Sequence, residues 1–371
     1  MDLSVIIPTR GRPATLAGCL AALARQDLPP ERYEVLVGVD GADAGEEEAV
    51  SRVLASGPQG VKVLVQEFPR AASGGGLAEV RNRLITRARG RILLSLNDDL
   101  IAEPQLCREH LRAHQAGVAA PGPATIVGDA PWRVRHPDRL FDLVLRRSSM
   151  IFFYNQMPGA HDYCPASPDT PPAPPGPTHD WGFRHAFGLN VSYPTAAVRE
   201  VGGYAVYPEK YGFEDCELAF RLGARLGMPV RFHPRARGWH DHAYEPAGYL
   251  EREFALGRAA WGFAGQSPAC ARAMFRREIR SEAELARCRH VMAHERAQAE
   301  RCREAFLGLA AIPAAQVAGP HQDAMVRLLY QQHLPVKRWE WCRGLLAGAA
   351  TPHEDAPALE TVPVSRGVPA A

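Results

Sequence analysis

Asn97-Asp98-Asp99 follows directly on the apolar run Ile92-Leu-Leu-Ser-Leu96. Five mostly aliphatic residues read as a buried strand, and acids at its C-terminal end stand at the rim of a sheet, where open α/β proteins bind ligands. Two neighbouring carboxylates there suit a hard divalent cation such as Mg²⁺ or Mn²⁺, whose remaining positions commonly take water and substrate phosphates. The same acids could instead end the strand as turn formers or cap a helix starting near Pro104. A second acidic pair, Glu214-Asp215, stands at the start of a helical pattern, where the macrodipole favours carboxylates whether or not they do chemistry. Further on, GWHDHAY (Gly238 to Tyr244) carries His240 and His242, a His-x-His pair that can bind a metal or simply lie on the surface.

The elements that must position these groups alternate. Strand patterns at Leu3 to Ile7, Tyr33 to Val39, Val61 to Phe68 and Ile92 to Leu96 are separated by helical patterns at about Pro13 to Arg25, Glu46 to Ala55 and Leu77 to Ala88. Such alternation predicts an α/β fold with a mainly parallel sheet and helices on both faces. Polar residues gather after the strands: Thr9 and Arg10 after the first, Asp40 after the second, Asn97 to Asp99 after the fourth. From 129 to 180 the pattern breaks, with a helix-like stretch from Asp138 to Met157 and a proline-dense run, Pro165 to Pro177, that reads as a polyproline-like surface loop beside the site. Regular structure resumes with a strand at Phe187 to Ser192, a short helix over Thr195 to Val201, a turn at Gly202-Gly203, a helix from Glu214 to Leu226 and a strand at Pro229 to His233. Three regions are expected: a domain over 1–245, a helical region over 246–349, and a disordered Pro/Ala-rich tail over 350–371.

Composition narrows the function classes. The chain has 371 residues, 46% of them hydrophobic, enough for a full core. Forty-three basic and forty-one acidic residues give a formal charge of +2, so nothing global calls for nucleic acid, and any phosphate recognition must be local. No apolar stretch is long enough for a transmembrane helix. The amino terminus enters a strand at once, without the basic segment and apolar core of a secretory signal, so a cytoplasmic location is expected. Eight cysteines without a CxxC pair read as reduced thiols. Arg272, Arg276, Arg277 and Arg280 could form a solvated basic helix face, or touch anionic lipid as a peripheral membrane contact.

Taken in order, VIIPTRGRPATLAGCLAAL (Val5 to Leu23), EVLVGVDGAD (Glu34 to Asp43), SGGGLAEVRNRLITRARGRILLSLNDD (Ser73 to Asp99), FGLNVSYPTAAVREVGGY (Phe187 to Tyr204) and GFEDCELAFRL (Gly212 to Leu222) resemble the family 2 glycosyltransferases. The resemblance spans roughly residues 2 to 264, including YLEREFALGRAAWGF (Tyr249 to Phe263). It implies a GT-A fold and inverting transfer of a sugar from a nucleotide-sugar donor, with UDP as the expected carrier, to an acceptor hydroxyl on a glycan, lipid-linked or small-molecule acceptor. By match, Pro8, Thr9, Arg10, Asp40, Arg81, Asn97 and Asp98 would bind the donor. Asp99 with His240 or His242 would hold Mn²⁺ or Mg²⁺, and Asp215, beside Glu214, would be the catalytic base. The chain departs from the family at Asn97, where an acid is common. An amide supplies no charge, so metal affinity should rest on Asp99.

Two other readings compete: a sugar nucleotidyltransferase on a similar scaffold, and a non-catalytic nucleotide-binding homologue. Against the first, Gly11-Arg12-Pro13 is too short for a long glycine-rich phosphate loop. Asn97 is what makes the second credible.

Overall fold

The computed structural model describes residues 1–41, 62–68, 76–115, 122–134, 136–167, 178–207, 209, 212–317 and 319–351. The helix expected over Glu46 to Ala55, most of the proline run up to Pro177, and the tail beyond Thr351 lie outside the described residues.

Among the described residues eight strands form one sheet: β1 (Leu3–Thr9), β2 (Tyr33–Asp40), β3 (Lys62–Phe68), β4 (Ile92–Leu96), β5 (Leu100–Ala102), β6 (Thr125–Asp129), β7 (Asn190–Pro194) and β8 (Val230–His240), in the order β3-β2-β1-β4-β7-β6-β8-β5. The half β3-β2-β1-β4 is parallel. Every residue of β1 and β2 is buried, as strands covered on both faces require. Helices α1 (Pro13–Leu23) and α2 (Leu77–Arg87) supply crossovers of this half, and Leu16, Leu20, Val80 and Leu84 pack on the sheet from them. β7 then inverts the direction, pairing antiparallel with both β4 and β6. This is the α/β architecture the sequence predicts, with a mixed rather than parallel second half.

Several boundaries differ from expectation, each for a local reason. The helix expected over Asp138 to Met157 is only α4 (Leu140–Arg147); it opens with Asp142 accepting from the Arg139 backbone N–H and stops where Ser148 turns extended and bonds back to the Val144 carbonyl. β7 starts at Asn190 rather than Phe187, because Gly188 is drawn out of the sheet to meet Ser95 and Asp215. β8 runs well past His233. Its second half, Pro234 to His240, is too polar to read as a strand, yet it bridges β6 and the short β5. β5 and β6 are short and have no counterpart among the expected strands, whereas the helix α3 (Leu106–Ala113) between them falls where a helix is expected, near Pro104. The helices α5 (Thr195–Glu200) and α6 (Glu214–Leu226) and the turn at Gly202-Gly203, both at positive φ, fall as expected.

The remainder is helical: α7 (Pro246–Gln266), α8 (Pro268–Phe275), α9 (Glu282–His294), α10 (Arg296–Ala310) and α11 (Pro320–Ala350). None of the described helices is long and apolar enough to cross a membrane. All eight cysteines are free. The four arginines expected on one basic face have separate surroundings: Arg280 lies over the Trp261 ring, Arg272 pairs with Glu278, Arg277 pairs with Glu284, and Arg276 caps α8. The framework of this region is the contact of α7 with α11, where glycines let two backbones approach. A Cβ on Gly344 would lie 2.1 Å from the Phe254 carbonyl oxygen.

Gly344→Val should therefore force the two helices apart, costing about 1–3 kcal/mol, the usual range for overpacking. Gly308→Ala, in α10 with open space around its Cβ, should instead gain up to about 1 kcal/mol from helix propensity. Denaturant midpoints of the two variants check both signs; a Gly344→Val protein as stable as the parent contradicts the packing described.

Candidate active site

The turn after β4 and the end of β8 are brought together by backbone pairing. Leu100 of β5 sits opposite His240 of β8, and the Asp241 N–H donates to the Asp99 carbonyl at 2.8 Å. His240 is further fixed by its own N–H to the Pro131 carbonyl, 2.9 Å, and by its ring against Trp132, centroids 4.5 Å apart. As a result Asp99 Oδ1 lies 3.6 Å from His240 Nε2, and Asp99 Oδ2 lies 3.3 Å from His242 Nδ1. One ligand atom from each of the three lies within 4.8 Å of the other two.

These residues fit a divalent ion. Ligands bound at about 2.0–2.2 Å to one centre stand roughly 3–3.5 Å apart, close to the spacings found. Asp99 Oδ1 and His240 Nδ1 are buried without a hydrogen-bond partner, and a buried carboxylate oxygen left so is costly unless something charged occupies it. Burial by itself would raise the Asp99 carboxyl, but the adjoining His240 and His242 imidazoles and the Arg12 charge outweigh it and hold the group far below the usual carboxylate range. A carboxylate with two imidazoles is a donor set of mixed softness, better suited to Mn²⁺ than to Mg²⁺, which prefers oxygen alone.

Arg12 is the residue the sequence reading missed. From the first turn of the β1–α1 connection its guanidinium donates to Asp99 Oδ2 at 2.9 Å and grips Asp98 through both Nε and a terminal nitrogen. Thr9 Oγ1 donates at 2.7 Å to Asp98 Oδ2, the oxygen that also accepts from Arg12 Nε. Burial pushes Asp98 up to about 6, with the Arg12 charge working against it. Asp98 is thus turned toward β1 and away from the imidazoles. Pro8, Thr9 and Asp40 are at the C-terminal ends of β1 and β2, with Arg10 exposed just beyond. None of these four lines the main cavity, whereas Arg12 does.

A second polar cluster is organised by Arg81 on α2. Its side chain is only 2% exposed, and it donates to Glu214, Asp215 and Asn97 at 3.2 Å each. The family resemblance places Arg81 among the donor-binding residues; its guanidinium is here occupied by three protein side chains. Asn97 has a physical role in this arrangement. A third carboxylate on one guanidinium would leave buried negative charge in excess, while the amide oxygen accepts the bond without adding charge. Asp215 also accepts from the Gly188 N–H at 3.1 Å, and a Cβ on Gly188 would lie 2.2 Å from the carboxylate oxygens, so only glycine admits Asp215 there. Burial raises both acids, Glu214 to about 7 with help from its neighbour's charge, and Arg81 offsets part of that rise.

The backbone before this pair is strained. Phe213 has φ 73°, left-handed and costly for a bulky residue. It is held by stacking on Phe263 of α7, centroids 4.7 Å apart at 13°, and edge-on against Phe275 of α8. The helical region thereby sets the direction in which Glu214 and Asp215 enter the site.

Both clusters face one cavity of about 780 Å³, lined by Arg12, Asn97, Asp99, His240 and His242 on one side and by Gly188, Glu214 and Asp215 on another. Phe152 and Phe187, which sequence did not single out, form an apolar wall beside His240, with the Phe152 ring 5.6 Å from the imidazole.

Comparison with known proteins relates part of the chain to glycosyltransferases. Validoxylamine A glucosyltransferase of Streptomyces hygroscopicus subsp. limoneus is 28% identical over 265 residues, which is 62% of this chain and 49% of that protein. The uncharacterized glycosyltransferase YfnE of Bacillus subtilis (strain 168) is 32% identical over 115 residues, 31% of this chain and 27% of the relative. The chain spans about half the length of the validoxylamine relatives it matches. Among solved structures, the mannosyltransferase PcManGT from Pyrobaculum calidifontis in complex with GDP-Man and Mn²⁺ superposes with a TM-score of 0.49 at 17% identity, covering 94% of this chain and 86% of that one, too loosely to transfer any residue role. Residues 4–167 match the family model described as Glycosyl transferase family 2. That segment supplies Thr9, Arg12, Arg81 and the Asn97–Asp99 turn, and it is similar to glycosyltransferase family 2.

Proposed function

We propose that the protein transfers a sugar, most simply a hexosyl group, from a nucleoside-diphosphate donor to an acceptor hydroxyl with inversion at the anomeric carbon. The observation that carries this is the single cavity onto which both the Asp99–His240–His242 group and Asp215 open. A separation of roles follows from their environments. Asp99, held ionised, belongs with a cation and a diphosphate; Asp215, raised by burial, is suited to accept a proton.

The donor base would lie at the ends of β1 and β2, where Asp40 can accept from the ring N–H of uracil, which makes UDP the proposed carrier. Arg12 and the imidazole side of the cavity would receive the diphosphate. Mn²⁺ held by Asp99, His240 and His242 would supply positive charge against the negative charge that grows on the departing group. Asp215 takes the acceptor O–H proton as that oxygen bonds to the anomeric carbon from the face opposite the diphosphate. The bond from that carbon to the diphosphate oxygen breaks, and one displacement inverts the centre. Arg81 and the Gly188 N–H hold Asp215 in position while its outer edge stays open to the cavity. The glucosyl transfer named for the validoxylamine relatives supports a hexose as the transferred group. A cytoplasmic location and a single transferase domain over 1–245 followed by helices over 246–349 complete the reading.

Asp215→Asn should lower the transfer rate by about 10²–10⁴, the usual share of general-base catalysis, while UDP affinity changes less than twofold. Turnover near the parent's would exclude Asp215 as the base. The pH profile gives a second check. A base whose carboxyl is raised above the ordinary 3.8 loses its lone pair to a proton earlier as pH falls, so transfer should decline on the acid side above that value. A rate that holds level down to pH 3.8 contradicts the assignment. Metal dependence is read by thermal shift. UDP should raise Tm by several degrees more with Mn²⁺ than with EDTA, and Asp99→Asn should erase the difference, since binding to the native state stabilises it by mass action.

A further inference from the structure

The cavity has a second charged wall, built by the helical region, that bond transfer itself does not use. Arg252 of α7, Arg277 just after α8, Arg287 of α9, and Lys337 and Arg338 of α11 all line it. Among the described residues, two buried acids are each shared by two of these cations: Glu253 by Arg252 at 3.0 Å and Lys337 at 3.8 Å, and Glu284 by Arg277 at 3.2 Å and Arg287 at 2.6 Å. Arg338 has Glu295 at 2.5 Å. Glu284 does not line the cavity and Glu253 reaches it with a side chain only 2% exposed, while Arg277 and Lys337 are 47% and 38% exposed. A guanidinium offers five N–H donors and an ammonium three, so a cation tethered by one edge to a buried acid can still present donors on its other side. Arg272 shows what a merely solvated arginine looks like in the same region: it pairs with Glu278, itself 44% exposed, and does not line the cavity.

We propose that this wall binds an anionic group on the acceptor, a phosphate monoester or a carboxylate, and thereby holds the acceptor hydroxyl at Asp215. The inference rests on the glycosyl-transfer reading and names the acceptor class within it. The donor diphosphate is assigned to Arg12 and Asp99, so a separate set of cations on the cavity that Asp215 also lines calls for a separate anion. Like charges paired around one buried acid repel each other, and an anion between them relieves that repulsion.

The test is calorimetric titration of the full chain, preloaded with Mn²⁺ and UDP at low salt, with glucose, glucose 6-phosphate and glucuronate. At least one of the two anionic sugars should bind tenfold or more tightly than glucose, and comparison of the two identifies which anion the wall prefers. In the Arg277→Gln/Lys337→Gln double variant, which takes one cation from each shared acid, that preference should fall below threefold. UDP affinity in the same variant reports that it is folded, and Arg272→Gln, off the cavity, should keep the full preference. Equal binding of all three sugars by the parent, or a preference the double variant retains, overturns the inference while leaving UDP binding intact. Failure of the parent to bind UDP would instead strike the donor reading, and this inference with it.

Discussion

Burying Asp98, Asp99, Glu214 and Asp215 around one region carries a desolvation cost and a mutual repulsion that only nearby cations can offset. Two guanidiniums do this. Arg12 spans Asp98 and Asp99, and Arg81 spans Glu214, Asp215 and Asn97. Each arginine comes from the connection that follows a strand of the parallel half, or from its helix, and each reaches acids far away in sequence. The rest of the architecture can be read as what delivers these partners. The parallel strands aim Thr9 and the Asn97–Asp99 turn at one edge, and the inverted β7 brings Gly188 to the same edge. The β5–β8 pairing carries His240 across to Asp99. The same charge logic separates the two acid pairs chemically, leaving one carboxylate firmly ionised and the other pair raised toward neutrality.

The helical region belongs to this arrangement rather than standing beside it. Phe263 and Phe275 hold Phe213 in a left-handed conformation immediately before Glu214, so packing in the helices stores the strain that points the second acid pair inward. The closeness of α7 and α11, permitted by Gly257 and Gly344, in turn holds Lys337 and Arg338 against the cavity. Stability of the helices and shape of the site are therefore coupled through a few aromatic and glycine contacts.

Much of this was legible in the sequence where a strong apolar period led directly into polar residues. β1, β2 and β4 announce themselves as aliphatic runs, and Thr9, Asp40 and Asp99 stand at their ends. His240 was legible only through family resemblance, since β8 loses its apolar pattern at Pro234 and Arg235 before it reaches the histidine. Arg12 gave no local sign, because its importance lies in contacts with residues almost ninety positions away that no period encodes. Arg81 was picked out but assigned to donor binding; what redirects it is burial, which demands protein carboxylates as partners. β5 is three residues long and exists only because β8 is there to pair with it. The basic wall escaped because its five cations are spread over several helices, and their common direction is a property of the packing.

The central claim is that Asp99, His240 and His242 surround one divalent ion. Pulsed electron spin resonance on the protein loaded with Mn²⁺ and UDP measures this directly, through the coupling of the metal spin to directly bound imidazole nitrogen. A nitrogen modulation is expected in the parent protein and should be lost or halved in His240→Ala, together with phosphorus coupling from the diphosphate. Mn²⁺ bound with phosphorus coupling but no nitrogen modulation in the parent would show the ion held elsewhere, and the site described here would not be the metal centre.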